Sequence, residues 1–228
     1  MLSNYEINGI VRAIVSFTDS HVQNKQRKQK EQQESESTLS LDQVASGLDS
    51  IFGQILRQKS CKFVIRIPKL LQSLIALVNF RIGTHLNEQT DLLRLNVRYL
   101  SRLCLWNIQR KGDAQVHSEL VRQGYVRVTS ISFSTAGGVC EEDDFKISDG
   151  LSYISIFLIK LRYGRYDDLY PSFQPLPLLA RVSLEQIEEE GAIEEIEAQM
   201  NNNAYIGHIK GKAKDVKAET LNHFVNWE

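Results

Sequence analysis

Two stretches of this chain, SLIALVNFRIG at residues 73–83 and SRLCLWNIQRKG at residues 101–112, place a serine and an asparagine (Asn79 and Asn107) twenty-eight positions apart. Each is a leucine-rich run that leads through its asparagine to a glycine. A repeated unit of this kind cannot bury its apolar face alone and needs a neighbour, so repetition predicts stacked helices. The rest of the composition agrees. At 228 residues the chain suits one sizeable domain or two small ones. Its 42% hydrophobic and 24% charged residues are those of a globular protein, and four prolines favour long helices over a loop-rich sandwich.

Outward from these stretches, Ile7, Ile10, Val11, Ile14 and Val15 form one apolar stripe that predicts a first helix over 4–17. The tract DSHVQNKQRKQKEQQESES at 19–37 loses that pattern and reads as a solvated extension of the helix followed by a short loop. The division expected is therefore an N-terminal helix and polar linker over 1–38 and a helical domain over 39–228. Ser40 and Gln43 match a capping box, followed by Leu41, Val44, Ala45, Leu48, Ile51, Phe52 and Ile55 on one face. CKFVIRIP at 61–68 fits either a short strand or the approach to a helix over 68–81, with Pro68 in its first turn and Gly83 at its end. Asn87 or Thr90 caps the next helix, apolar on most sides and so buried and central, which stops at Lys111 and Gly112.

Asp113 is the expected cap of a short helix terminated by Gly124. Residues 125–134, YVRVTSISFS, alternate like a strand, and 135–150 read as an acidic, glycine-bearing loop. Residues 151–163 suit a buried helix, with a strand as the alternative, and 165–179 hold three of the four prolines in an irregular connection. Ser183 with Gln186 repeats the capping-box pattern, and Leu221, Phe224 and Val225 share one face of a terminal helix over 216–227. The fold class expected is all-α, with room for a short strand or hairpin at 63–67 or 125–133.

VRYLSRLCLWNI at 97–108 followed by SELVRQGYV at 118–126, and EEEGAIEEIEAQM at 188–200 followed by VKAETLNHFVNW at 216–227, resemble the armadillo repeat. In that repeat a long third helix ends in a leucine-asparagine motif and the next unit opens around a turn glycine, the places of Asn107, Gly124 and Gly191 here. The resemblance implies an armadillo- or HEAT-like right-handed stack whose third helices line a concave groove. Such glycines are needed where a Cβ would crowd the backbone or where φ must be positive. The family sets its tryptophan one turn before the asparagine, whereas Trp106 directly precedes Asn107.

Chemical motifs are sparse. Cys61, Cys104 and Cys140 are odd in number and lack a CxxC pair, which fits a reducing compartment and no zinc site. The five histidines show no HExxH spacing, and CEEDDF at 140–145 lacks the ligand spacing of an EF-hand, so no metal is expected. GHIKGKAK at 207–214 has only three residues between its glycines and Ala213 where a P-loop holds magnesium, so it reads as a basic inter-helix loop and no cofactor is expected. No apolar run is long enough to span a bilayer.

Charge is uneven: residues 1–130 hold 18 Lys+Arg against 11 Asp+Glu, and residues 131–228 hold 9 against 17. A sequence pI near 6.5 and few aromatics among the basic residues argue against a nucleic-acid binder. Arg94, Arg98, Arg102, Trp106 and Arg110 recur every four residues and so form one near-axial ridge suited to a partner segment. The function expected is a non-catalytic protein-interaction adaptor or subunit of a larger complex, cytoplasmic or nuclear. The alternative is a phosphorylated-ligand-binding or enzymatic helical domain using the 207–214 loop.

Overall fold

A computed structural model describes residues 2–27, 38–81, 85–131, 144–201 and 208–221. The expectations attached to residues 28–37, Gly83, Cys140, Gly207 and Trp227 fall outside the described residues, and of the loop expected over 135–150 the described part, 144–150, is helical instead. Among those described there are eleven helices and no strand, so the fold is all-α. The chain divides into two compact units, 1–111 and 112–228, rather than at the expected boundary after residue 38.

The first unit holds α1 (Asn4–Arg27), α2 (Thr38–Leu56), α3 (Gln58–Ile65), α4 (Leu70–Val78) and α5 (Glu88–Lys111). Helix α1 belongs to this unit because Ile7, Val11 and Ile14 are buried, each 1% exposed, as α1 packs on α2 and α4. The approach to α2 is close: a Cβ on Gly47 would lie 3.2 Å from Ile10 Cγ2. Ser3 and Glu6 form a capping box on α1, in which Ser3 N donates to Glu6 Oε2 at 2.7 Å and Glu6 N donates to Ser3 Oγ at 3.3 Å. Helix α2 starts at Thr38, two residues ahead of Ser40, so Ser40 is not its cap. Leu41, Leu48, Ile51 and Ile55 of α2 are fully buried as α2 packs on α5, each contributing about 1.5–3 kcal/mol of hydrophobic stabilisation.

Residues 61–65, one reading of which was a strand, are helical in α3, with Cys61 and Val64 buried one turn apart. Helix α4 begins at Leu70, after Pro68 rather than on it, and its cap Lys69 has φ 63°, a left-handed value. Asn87 caps α5, its Oδ1 accepting from Thr90 N at 2.9 Å. The repeated asparagines are not equivalent. Asn79 directly follows α4, whereas Asn107 lies inside α5 and donates from Nδ2 to Leu103 O at 2.9 Å.

The second unit holds α6 (Ala114–Arg122), α7 (Tyr125–Ile131), α8 (Asp144–Tyr163), α9 (Pro177–Glu189), α10 (Ala192–Gln199) and α11 (Ile209–Leu221). Helix α8 is its axis, packed on α7, α9 and α11, with Leu151, Ile154, Phe157 and Leu161 fully buried. The strand-like run at 125–131 is helical: Tyr125, Val126, Thr129 and Ser130 are buried at helical spacing. Its hydroxyls bond back within the helix, Thr129 Oγ1 to Tyr125 O at 2.7 Å and Ser130 Oγ to Val126 O at 3.0 Å. Asp113 caps α6 by accepting from Val116 N at 3.0 Å. Ser183 is no cap, since α9 begins at Pro177 and Ser183 is buried with its Oγ donating to Leu179 O at 2.8 Å.

Gly124 (φ 74°) separates α6 from α7 and Gly191 (φ 66°) separates α9 from α10. Neither would crowd a Cβ, so the positive φ is what each position requires. Gly164 is different. It has φ 75°, and a Cβ there would lie 2.5 Å from the carbonyl oxygen of Phe173. Gly164→Ala is expected to cost about 2–4 kcal/mol by combining left-handed strain with overlap. Gly9→Ala, helical with nothing within 4 Å of its Cβ, is expected to gain about 0.5–1 kcal/mol. Urea midpoints of the two variants check both signs.

Candidate functional site

The ridge at spacing four on α5 does not face solvent. Arg94, Arg98 and Arg102 are 3%, 1% and 7% exposed, Trp106 is half-buried, and Arg110 alone of the five is exposed. The reason is packing: α5 lies against α2 and α4 inside the unit, and these arginines are among its buried residues. Arg98 Nη1 donates to Phe80 O at 3.1 Å, just beyond the end of α4, and Arg94 Nη1 approaches Asp91 Oδ1 at 3.4 Å. The expectation of an open basic ridge is corrected accordingly. The 207–214 loop is also corrected, since residues 209–214 are the first turns of α11, with Ala213 buried and Lys212 Nζ donating to Ser152 Oγ on α8. Backbone amides engaged in a helix cannot wrap a phosphate as a glycine-rich loop does.

An open groove does lie on the first unit, between α1 and the turn joining α3 to α4. Its volume is about 530 Å³, within the usual size range of ligand sites, and it is lined by Asn8, Val11, Arg12, Val15, Ser16, Asp19, Ser20, Ile67 and Pro68. Two adjacent ridges of α1 build one wall: Val11, Val15 and Asp19 at spacing four, and Asn8, Arg12, Ser16 and Ser20 at the same spacing. From Asn8 to Ser20 the groove runs about 18 Å along the helix, at 1.5 Å per residue. Its apolar side is Val11, Val15, Ile67 and Pro68.

Several contacts hold the two walls in place. Thr18 Oγ1 donates to Ile14 O and Val15 O within α1 and lies 2.9 Å from Ser73 Oγ of α4, while the Phe17 and Phe80 rings meet at 5.4 Å. Lys69 Nζ bridges to Asp19 Oδ2 at 3.1 Å across the groove's end. Lys69 adopts a left-handed backbone, strain of order 1 kcal/mol that a β-carbon residue accepts only where the surroundings impose it, as they often do at binding sites. Among the described residues no carboxylate pairs with the exposed Arg12, so the groove presents one uncommitted cation. The sequence reading took only the buried stripe of α1 and missed the spacing-four ridge 8/12/16/20 beside it, which periodicity alone could have found. The opposite wall could not be found so, because it depends on the tertiary packing of Ile67 and Pro68.

Catalytic and metal-binding groups do not converge among the described residues. No cluster of three His, Cys, Asp or Glu side chains is placed to hold a metal ion, and no helix is long and apolar enough to cross a membrane. Cys61 and Cys104 are buried thiols, both pushed up chiefly by burial and so held protonated.

The most unusual ionisable group lies in the second unit. His117 is fully buried, stacked on Phe157 with centroids 5.6 Å apart and tilted against Phe173 at 4.6 Å. Its Nδ1 bonds Asp113 O at 2.9 Å, which makes Nδ1 the protonated nitrogen of the neutral ring, and Nε2 has no partner. Burial is the chief cause that brings its pKa down to about 4; the hydrogen bond to Asp113 O opposes it, and the charges of Arg165 and Lys160 add smaller lowering effects. Arg165 beneath the same cluster is 3% exposed and donates to Pro171 O and Gly112 O, with its guanidinium 5.1 Å from the Phe173 ring centroid.

Because the folded pKa of His117 is below the unfolded value near 6.5, the unfolded chain binds the extra proton between those pH values. The stability that neutral His117 permits is present above about pH 6.5 and is lost as pH falls, by about 3 kcal/mol at pH 4. Urea denaturation at pH 7 and pH 4 is expected to show that extra loss in the wild type and not in His117→Gln. No protein-family model, curated protein or solved structure matches this chain.

Proposed function

We propose that this chain is a non-catalytic protein-interaction adaptor, an armadillo-like helical protein whose first unit grips a partner segment in the groove along α1. The observation that carries this is the groove's form. It is long and open, with an apolar side of Val11, Val15, Ile67 and Pro68 and a polar rim on which Arg12 stands unpaired. Such a trough suits a polypeptide that lays down apolar anchors and adds one carboxylate, better than it suits a small molecule that must be enclosed. The armadillo-like reading is supported by short helices paired around Gly124 and Gly191, each glycine with positive φ.

The experiment is selection of a random-peptide phage library on the immobilised chain. Groove-directed peptides are expected to carry two apolar residues beside an Asp or Glu. Arg12→Glu is expected to weaken them at least tenfold, as loss of a charge-assisted hydrogen bond of about 1.5–3 kcal/mol implies, with the melting temperature unchanged because Arg12 is exposed. Selected peptides whose affinity ignores Arg12→Glu overturn the reading.

A further inference from the structure

We infer that the second unit carries a separate docking surface for a basic, apolar-anchored polypeptide segment, built from the closed loop at 164–176 and the first turns of α9. Three large apolar side chains stand out there: Tyr166 is 67% exposed, Leu169 70% and Leu178 74%, with Val182 one turn after Leu178 on the same helix face. Single exposed apolar residues are ordinary, but here several lie within seventeen residues on a loop that is rigidly built.

The loop's ends meet. Leu176 N donates to Leu161 O at 2.6 Å, and Arg165 and Phe173 exchange both backbone hydrogen bonds at 2.9 and 3.0 Å. Buried Arg165 ties the interior by donating to Pro171 O. Asp167 Oδ1 accepts from Leu169 N at 3.0 Å and Tyr170 N at 2.7 Å, and the Tyr166 hydroxyl bonds Gln174 Oε1 at 3.0 Å. Tyr166 and Leu169 are therefore presented by a loop braced by its own hydrogen bonds, and such bracing reduces the entropy lost on association.

Charge selects the occupant. Residues 163–190 contain six carboxylates, at Asp167, Asp168, Glu185, Glu188, Glu189 and Glu190, against Arg165 and Arg181. Four of the six are already paired: Asp167 with buried Arg165 at 3.8 Å, Glu185 with Arg181 at 3.0 Å, and Glu189 and Glu190 with Arg127 of α7. Asp168, between Tyr166 and Leu169, and Glu188, on α9, have no cation partner among the described residues. An apolar surface with one unpaired carboxylate inside its loop, at Asp168, and a second farther along α9, at Glu188, complements a segment with apolar anchors and Lys or Arg beside them, and its opposite charge disfavours acidic segments.

The test uses the full chain and the same random-peptide phage library, with clones sorted by their response to Leu169→Asp/Leu178→Asp and to Asp168→Lys/Glu188→Lys. Both pairs are exposed, and circular dichroism confirms that the variants stay folded. The expected result is a class of net-positive peptides with two apolar residues three or four apart. Their affinity falls about tenfold or more in either double variant, weakens with salt, and is unchanged by Arg12→Glu. That last response separates this surface from the groove on α1, so either can fail alone. The inference is overturned if no such class is selected, if binding is indifferent to both double variants, or if sedimentation shows a self-associated chain that Leu169→Asp/Leu178→Asp makes monomeric.

Discussion

The first unit is organised by the way α2 and α4 enclose α5. A long helix with arginine at three successive spacing-four positions can be enclosed only if those guanidinium groups find acceptors inside, because a buried cation without hydrogen bonds is costly. Arg98 finds the Phe80 carbonyl at the C-terminal side of α4, where the helix's partial negative charge favours a cation. Lys111, in the last turn of α5, plays the same part for α2: its Nζ reaches Ile55 O at 2.8 Å and Leu56 O at 2.6 Å. Burial lowers the Lys111 pKa. Basic side chains of α5 thus close the ends of two neighbouring helices.

The second unit solves its internal polar problem with one arginine and a ring cluster. Arg165 gathers backbone carbonyls that the irregular 164–176 segment cannot pair by regular structure and lies against the Phe173 ring, which joins His117, Phe157 and Tyr125 in one cluster of rings. Residues 1–111 carry 16 Lys+Arg against 9 Asp+Glu, and residues 112–228 carry 11 against 19, so the electrical division falls on the structural one. The two surfaces differ in kind for that reason: a trough with a spare cation on the basic unit, and a proline-rich apolar loop with spare carboxylates on the acidic one.

Local signals in the sequence were read well where local physics decides. Asp113, Asn87, Gly124 and Gly191 do at helix ends what short polar side chains and glycines do there. The capping box of Ser3 and Glu6 is a local signal of the same kind that the sequence reading missed. Errors arose where tertiary packing outweighed local pattern. Tyr125, Val126, Thr129 and Ser130 look like strand residues, but in the helix they are buried together and the Thr129 and Ser130 hydroxyls bond the i−4 carbonyls. Ser183 mimics a cap, but Pro177 opens its helix earlier. The arginine ridge was correctly seen as a ridge. Its burial was invisible, because spacing reports which residues share a face and says nothing of what lies against it. The groove required Lys69 to turn left-handed after Pro68, a conformation no rule for lysine would suggest.

Gly164 sits 2.5 Å, at the position a Cβ would take, from the Phe173 carbonyl, where the chain leaves α8 and doubles back toward α9. No amino acid with a side chain can occupy that crossing without rerouting the twelve residues that follow it. Distant relatives that preserve this architecture should therefore keep glycine at that point even where every surrounding helix has drifted in sequence. The residue is a better fingerprint for tracing ancestry than the leucines, which any helical protein supplies.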